Sequence, residues 1–116
     1  MKLLRLGEIL DLPLYEYRGC KKTQCIYFIT YGKSLLYIGE TKSLATRMLG
    51  YRWAKDFDIH YLITSKYANP NHSSLRRRLT LEKKYIKYYK PPINYGVNIV
   101  DTIVKEHKEI KIVVEQ

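Results

Sequence analysis

The chain has 116 residues, 46% of them hydrophobic, and a formal net charge of +10 from 21 Lys and Arg against 11 Asp and Glu. That length and apolar share fit one folded domain and exclude a disordered chain. No apolar run is long enough to span a membrane, and the opening MKLLRLGEILDLP carries Arg5, Glu8 and Asp11 through its apolar stretch, a poor signal peptide, so a cytoplasmic location is expected.

A positive excess this large on so small a body attracts polyanions, nucleic acid first. An anionic membrane surface is the weaker candidate, because no long basic amphipathic helix with bulky apolar anchors is present. Cys20 and Cys25 do not form a C-x-x-C, and His60, His72 and His107 are scattered. A zinc site needs four well-spaced ligands, so reduced structural thiols are expected instead.

Residues 1–23 form a lead-in with a weak helical pattern at Leu3, Leu6 and Leu10, which Pro13 ends. Gln24 to Tyr31 is rich in β-branched and aromatic residues and predicts a strand. Gly32-Lys33-Ser34 is a turn, and Leu35 to Gly39 is a second strand, so 24–39 is a hairpin. Thr41 or Ser43 caps a helix predicted to run to about Lys55, with Leu44, Met48 and Tyr51 as its apolar stripe. The alternation in FDIHYLIT, residues 57–64, predicts a third strand. Asn69-Pro70-Asn71 marks a loop. A long helix from about Ser73 to Tyr89 follows, stopped by Pro91-Pro92. The tail from about Glu109 to Glu115, with IKIVV, predicts an extra C-terminal strand or a dimer contact.

The long helix carries an apolar stripe of Leu75, Leu79, Ile86 and Tyr89, with Glu82 in the missing turn. A carboxylate there is costly unless it is paired with an Arg or holds a metal. Arg47 and Tyr51 are four apart on the first helix and share a face. An Arg in that place can grip a phosphate or simply cover the core edge with its stem. Tyr27 and Tyr37 occupy matching points of the hairpin. With 12 Tyr in the chain, sheet packing alone explains either one.

The ordered set is more specific than its parts. Cys25-Ile26-Tyr27, Tyr37-Ile38-Gly39, Thr41-x-x-Leu44-x-x-Arg47, Glu82 and Asn94 in KPPIN together resemble the GIY-YIG nuclease superfamily. The resemblance covers about residues 24–95. It implies one α+β domain over 1–116: a small central antiparallel three-stranded sheet flanked by helices, with 1–23 and 96–116 as extensions. It also implies a phosphodiester hydrolase acting on DNA with one Mg²⁺, or Mn²⁺ as substitute. Glu82 would hold the metal, which tolerates a single carboxylate because it keeps several waters. Tyr27 would take a proton from the attacking water, and for that its phenol must be lowered by nearby positive charge. Tyr37 would position the nucleophile or phosphate, Arg47 would stabilise developing charge, Tyr51 would assist Arg47 or help position the water, and Asn94 would orient the Glu82 region.

Two positions depart from the pattern. Cys25 stands where the first Gly is usual, and Glu40 follows the YIG where some relatives carry a phosphate-binding Lys. Lys33 or Lys42 are the candidates to compensate. With Arg52, Arg76, Arg77 and Lys83 they make up the expected nucleic-acid-binding residues; the helix run Arg76-Arg77-Arg78 with Lys83 and Lys84 reads as a backbone-binding strip or as a solvated face. Trp53 is a candidate to stack on a base or to pack on the third strand. The alternative function is a catalytically weak nucleic-acid-binding module acting with a partner protein, and Glu40 speaks for it. A small protein that binds an acidic partner through its basic face needs no Glu on a core stripe. The segments outside the core are too short for a separate reading domain, so site choice is expected to be weak, or to come from a homodimer or a targeting protein.

Overall fold

The computed structural model describes residues 2–16, 24–64 and 72–96, apart from the side chains of Arg52, His72, Ser73 and Ser74. In chain order the elements are helix α1 (Leu6–Leu10), strands β1 (Cys25–Tyr31) and β2 (Ser34–Thr41), helix α2 (Leu44–Leu49), a 3-10 turn (Arg52–Asp56), strand β3 (Asp58–Ile63), helix α3 (His72–Tyr89) and a second 3-10 turn (Pro92–Tyr95). The predicted C-terminal strand lies outside the described residues.

The sheet is antiparallel in the order β2-β1-β3. The unbroken apolar run CIYFITY has its cause here: β1 is central and is buried on both faces. Cys25, Tyr27 and Ile29 face a core with Leu44, Met48, Ala54, Phe57 and Ile59. Ile26 and Phe28 face the opposite core, with Ile9, Ile38 and Tyr85. The sheet is thus a middle layer, with α2 and its following turn on one side and α1 with α3 on the other.

The lead-in does more than its weak pattern predicts. A bridge pairs Leu14 with His60. The Tyr15 N–H donates to the Ile59 carbonyl at 2.8 Å and the Tyr61 N–H to the Pro13 carbonyl at 3.1 Å. This closes the outer edge of β3, which would otherwise offer unpaired backbone groups. Upstream, the Tyr85 hydroxyl accepts the Leu4 N–H at 3.0 Å and the Tyr89 hydroxyl donates to the Leu4 carbonyl.

Two expectations are corrected. The helix predicted to reach Lys55 stops at Leu49, with Gly50 as its cap residue, and the chain goes on as the 3-10 turn. Glycine is a poor helix former and a preferred stop. On α3, Ile86 and Tyr89 of the expected stripe pack against the core, but Leu75 and Leu79 are exposed and Arg78 and Tyr85 are buried in their stead. The helix is rotated so that Arg78, Glu82, Tyr85 and Tyr89, spaced four, three and four, face the sheet. A basic residue at a core position hides this from a reading of apolar spacing, and Arg78 is not part of a solvated strip.

Candidate active site at the edge strand β2

Tyr27 pairs with Gly39 and Tyr37 with Ile29. A bulge at Ile29/Thr30 puts both Leu36 and Tyr37 on the α2 side, beside Tyr27. Glycine at 39 is a steric necessity. A Cβ there would overlap Cζ and the hydroxyl of Tyr27, whose ring lies across the glycine. Cys25 is fully buried in the same core, so the side chain at the usual glycine position is absorbed by packing.

Tyr51, just past the α2 cap, completes a triangle. Its hydroxyl is 3.4 Å from both the Tyr27 and the Tyr37 hydroxyls, with Tyr27 as donor in the first pair. Arg47, exposed in the last turn of α2, hydrogen-bonds Tyr51. Trp53 stacks on Tyr51 at 5.7 Å between centroids and meets Tyr37 edge-on at 6.2 Å. It packs on these two rings and Phe57.

The three hydroxyls differ in acidity. Burial pushes Tyr27 far up, and its bond to Tyr51 adds to this, while the Arg47 charge only partly opposes it. Burial, then the bond to Tyr51, pushes Tyr37 up to about 12. Burial acts on Tyr51 too, but hydrogen bonds from Tyr27 and Tyr37, together with the Arg47 guanidinium, outweigh it and hold Tyr51 below an ordinary phenol. The expectation was that positive charge lowers Tyr27; Arg47 does act on it, but burial outweighs that charge, and it is Tyr51, favoured first by hydrogen bonds from Tyr27 and Tyr37, that is lowered.

A phenol with a raised folded pKa contributes stability that is present below its unfolded value, near 10, and lost as pH rises through the folded one. Thermal melts should hence fall from about pH 10, the Tyr37 contribution vanishing by about 12. Tyr27→Phe should flatten that fall. An equal slope in both proteins would contradict the assignment.

β2 is an edge strand, so the outward N–H and C=O groups of alternate residues need partners. At Ile38 the Asn94 side chain supplies both, accepting the N–H at 2.8 Å and donating to the carbonyl at 2.8 Å. Asn94 thus holds the strand at the YIG triplet and has no recorded bond to Glu82. Two residues on, the Glu40 N–H bonds the Glu82 carboxylate. Glu82 reaches this edge from α3, on the opposite face from the tyrosines. Burial, then the Glu40 charge, raises the Glu82 carboxyl above the usual range, against that backbone bond and the Arg47 and Lys83 charges. Glu40 itself turns to α3, where Arg78 Nε donates to it at 3.0 Å and Arg78 Nη1 donates to Gln24 at 2.6 Å.

Among the described residues no group of three or more His, Cys, Asp and Glu converges as a metal cage. Glu82 offers the one carboxylate of the cluster not already taken by an arginine. That donor set suits Mg²⁺, which completes its sphere with water and phosphate oxygens, and does not suit a structural zinc.

The remaining predicted residues are dispersed. Lys33, Lys42, Arg76, Arg77 and Lys83 are exposed. Lys33 is in the hairpin turn and Lys42 follows the far end of β2, roughly 25 Å away at the rise of a strand. They therefore do not act at one phosphate. Arg52 opens the 3-10 turn, and its side chain lies outside the described residues. The participants missed by sequence reasoning are Gln24 and the pairing role of Arg78; Trp53, weighed as a base-stacking or strand-packing residue, packs on Tyr51, Tyr37 and Phe57. Arg78 carries a faint signal, since it lies one turn before Glu82.

No helix among the described residues is long and apolar enough to cross a membrane. No protein-family model matches the chain, and no curated protein matches it.

Proposed function

We propose that this protein is a metal-dependent endonuclease of GIY-YIG type that hydrolyses phosphodiester bonds in DNA, with Tyr27 as general base and Glu82 as metal ligand. One observation carries the reading: Arg47 and the tyrosine triangle from one face, and Glu82 from the other, lie within electrostatic reach of each other at the edge strand β2. A phosphate there would find a guanidinium, hydroxyl donors and a carboxylate able to hold a cation.

In this mechanism Arg47 donates to a non-bridging phosphate oxygen and offsets the charge that develops on it. Tyr51, the most acidic of the three, enters the step as the phenolate: it takes the Tyr27 proton as Tyr27 takes one from the attacking water, so both phenols end neutral and hydroxide is delivered to phosphorus. The donor direction and the lowered pKa of Tyr51 both favour that order. The 3.4 Å separations are long for hydroxyl pairs and would tighten around substrate. Tyr37 orients the Tyr51 oxygen from the other side. Asn94 keeps the edge straight at Ile38. Mg²⁺, or Mn²⁺ in its place, held by Glu82 would supply Lewis-acid stabilisation of the phosphate and the leaving oxygen.

Tyr51→Phe removes the final acceptor. Cleavage at pH 8 should drop on the order of 10²-fold, and the rise of rate with pH should move upward because only raised phenols remain. An unshifted profile would remove Tyr51 from the proton path. The +10 charge supports a salt-dependent, sequence-independent grip on the backbone. A two-fold pair of copies would cut both strands and a lone copy would nick; a targeting protein would otherwise supply site choice. Glu40 spoke for a binding module with a weak site, but its charge is matched by Arg78. Labelled duplex, branched DNA and RNA incubated with Mg²⁺ test the reading. Cut duplex or branched DNA supports it; duplex that is retarded on a gel while no substrate is cut sinks it in favour of the binding module.

A further inference from the structure

Arg78 is 4% exposed and Glu40 is 17% exposed, and the two are joined at 3.0 Å. Such a pair is a weak device for stability, because an apolar pair of similar volume does as well once desolvation is counted. Its surroundings suggest another task. Glu40 is gripped twice by α3: its carboxylate by Arg78, its backbone N–H by Glu82 one turn further on. Gln24, just before β1, takes a second Arg78 nitrogen at 2.6 Å, so the guanidinium cannot swing toward Glu82 without losing both partners. Glu82 is left beside a second carboxylate whose charge is already matched.

Resting on the nuclease reading, we propose that the Arg78–Glu40 pair is a positioning device for Glu82: it sets the register of α3 against the end of β2 and keeps Glu40 out of the cation's coordination sphere. Both partners act through Glu82, so neither is a catalytic residue. The site thereby presents one carboxylate to a cation that must also accept phosphate oxygens. A second free carboxylate would hold the ion more tightly and repel the phosphate.

The test is Mn²⁺ binding to the DNA-free protein, followed by calorimetry or by the loss of free-ion electron resonance, with melting temperatures alongside. Arg78→Met frees Glu40 and should tighten Mn²⁺ about tenfold; Glu40→Gln leaves Arg78 uncompensated one turn from Glu82 and should weaken it about tenfold. The double variant should return to within a factor of two or three of wild type, and this serves as the check if either single variant melts early. A pair that merely supports the fold would move both single variants in the same direction, and that result overturns the proposal. Mn²⁺ uptake by wild type that survives Glu82→Gln, or no uptake at all, would withdraw the metal assignment and this inference with it. Uptake lost in Glu82→Gln, with no change in the Arg78 and Glu40 variants, would overturn the inference alone.

Discussion

Glu82→Gln should leave the fold and duplex binding in place and lower cleavage on the order of 10³-fold. The amide keeps an oxygen that can accept the Glu40 N–H, so the contact of α3 with the β2 edge survives. It also removes a half-buried charge that burial and Glu40 disfavour, so the melting temperature should stay level or rise slightly. What is lost is the anionic ligand. Cleavage within about threefold of wild type, far short of the loss that a missing charge-stabilising group causes, would remove Glu82 from the metal and from the account.

Gly39→Ala should damage both stability and rate. The new methyl would occupy the space of the Tyr27 ring end. Tyr27 is 1% exposed, so its ring has no vacant volume to enter. Overpacking of this kind costs about 1–3 kcal/mol. Any rotation that relieves it breaks the Tyr27–Tyr51 hydrogen bond. A displacement near 1 Å of a catalytic group costs about 10²-fold in rate. Gly7→Ala is the control. No atom lies within 4 Å of that Cβ, so the helix gain of alanine should appear alone, as an unchanged or higher melting temperature with full activity. A Gly39→Ala protein as stable and active as wild type would show that the ring position is unimportant.

The hairpin was the most legible part of the chain, because both of its strands are short, apolar and bounded by a Gly-containing turn. The composition of β1 marked it as a strand, but its central place and burial on both faces were not read. The rotation of α3 was not legible. Arg78 lies in a run of three arginines and looks solvated, yet its partners Glu40 and Gln24 stand 38 and 54 residues away in sequence. A long-range ion pair leaves no periodic trace. The pairing of residues 13–15 with β3 was hidden for the same reason, since bridges of this kind depend on backbone groups and not on side-chain pattern. In the site, the residue types and their order pointed to Tyr27, Tyr37, Arg47, Tyr51 and Glu82. The acidity order of the tyrosines could not be read, because it depends on who donates to whom within the triangle.

The most direct measurement is conversion of supercoiled plasmid by the purified wild-type protein, with Mg²⁺ or with EDTA, beside Glu82→Gln. Nicked or linear DNA is expected with wild type and Mg²⁺ alone, the supercoiled band persisting in EDTA and in the variant. Cleavage that is indifferent to the metal or to Glu82 would contradict that expectation, as would plasmid that is bound, shifted and left intact in Mg²⁺ and Mn²⁺.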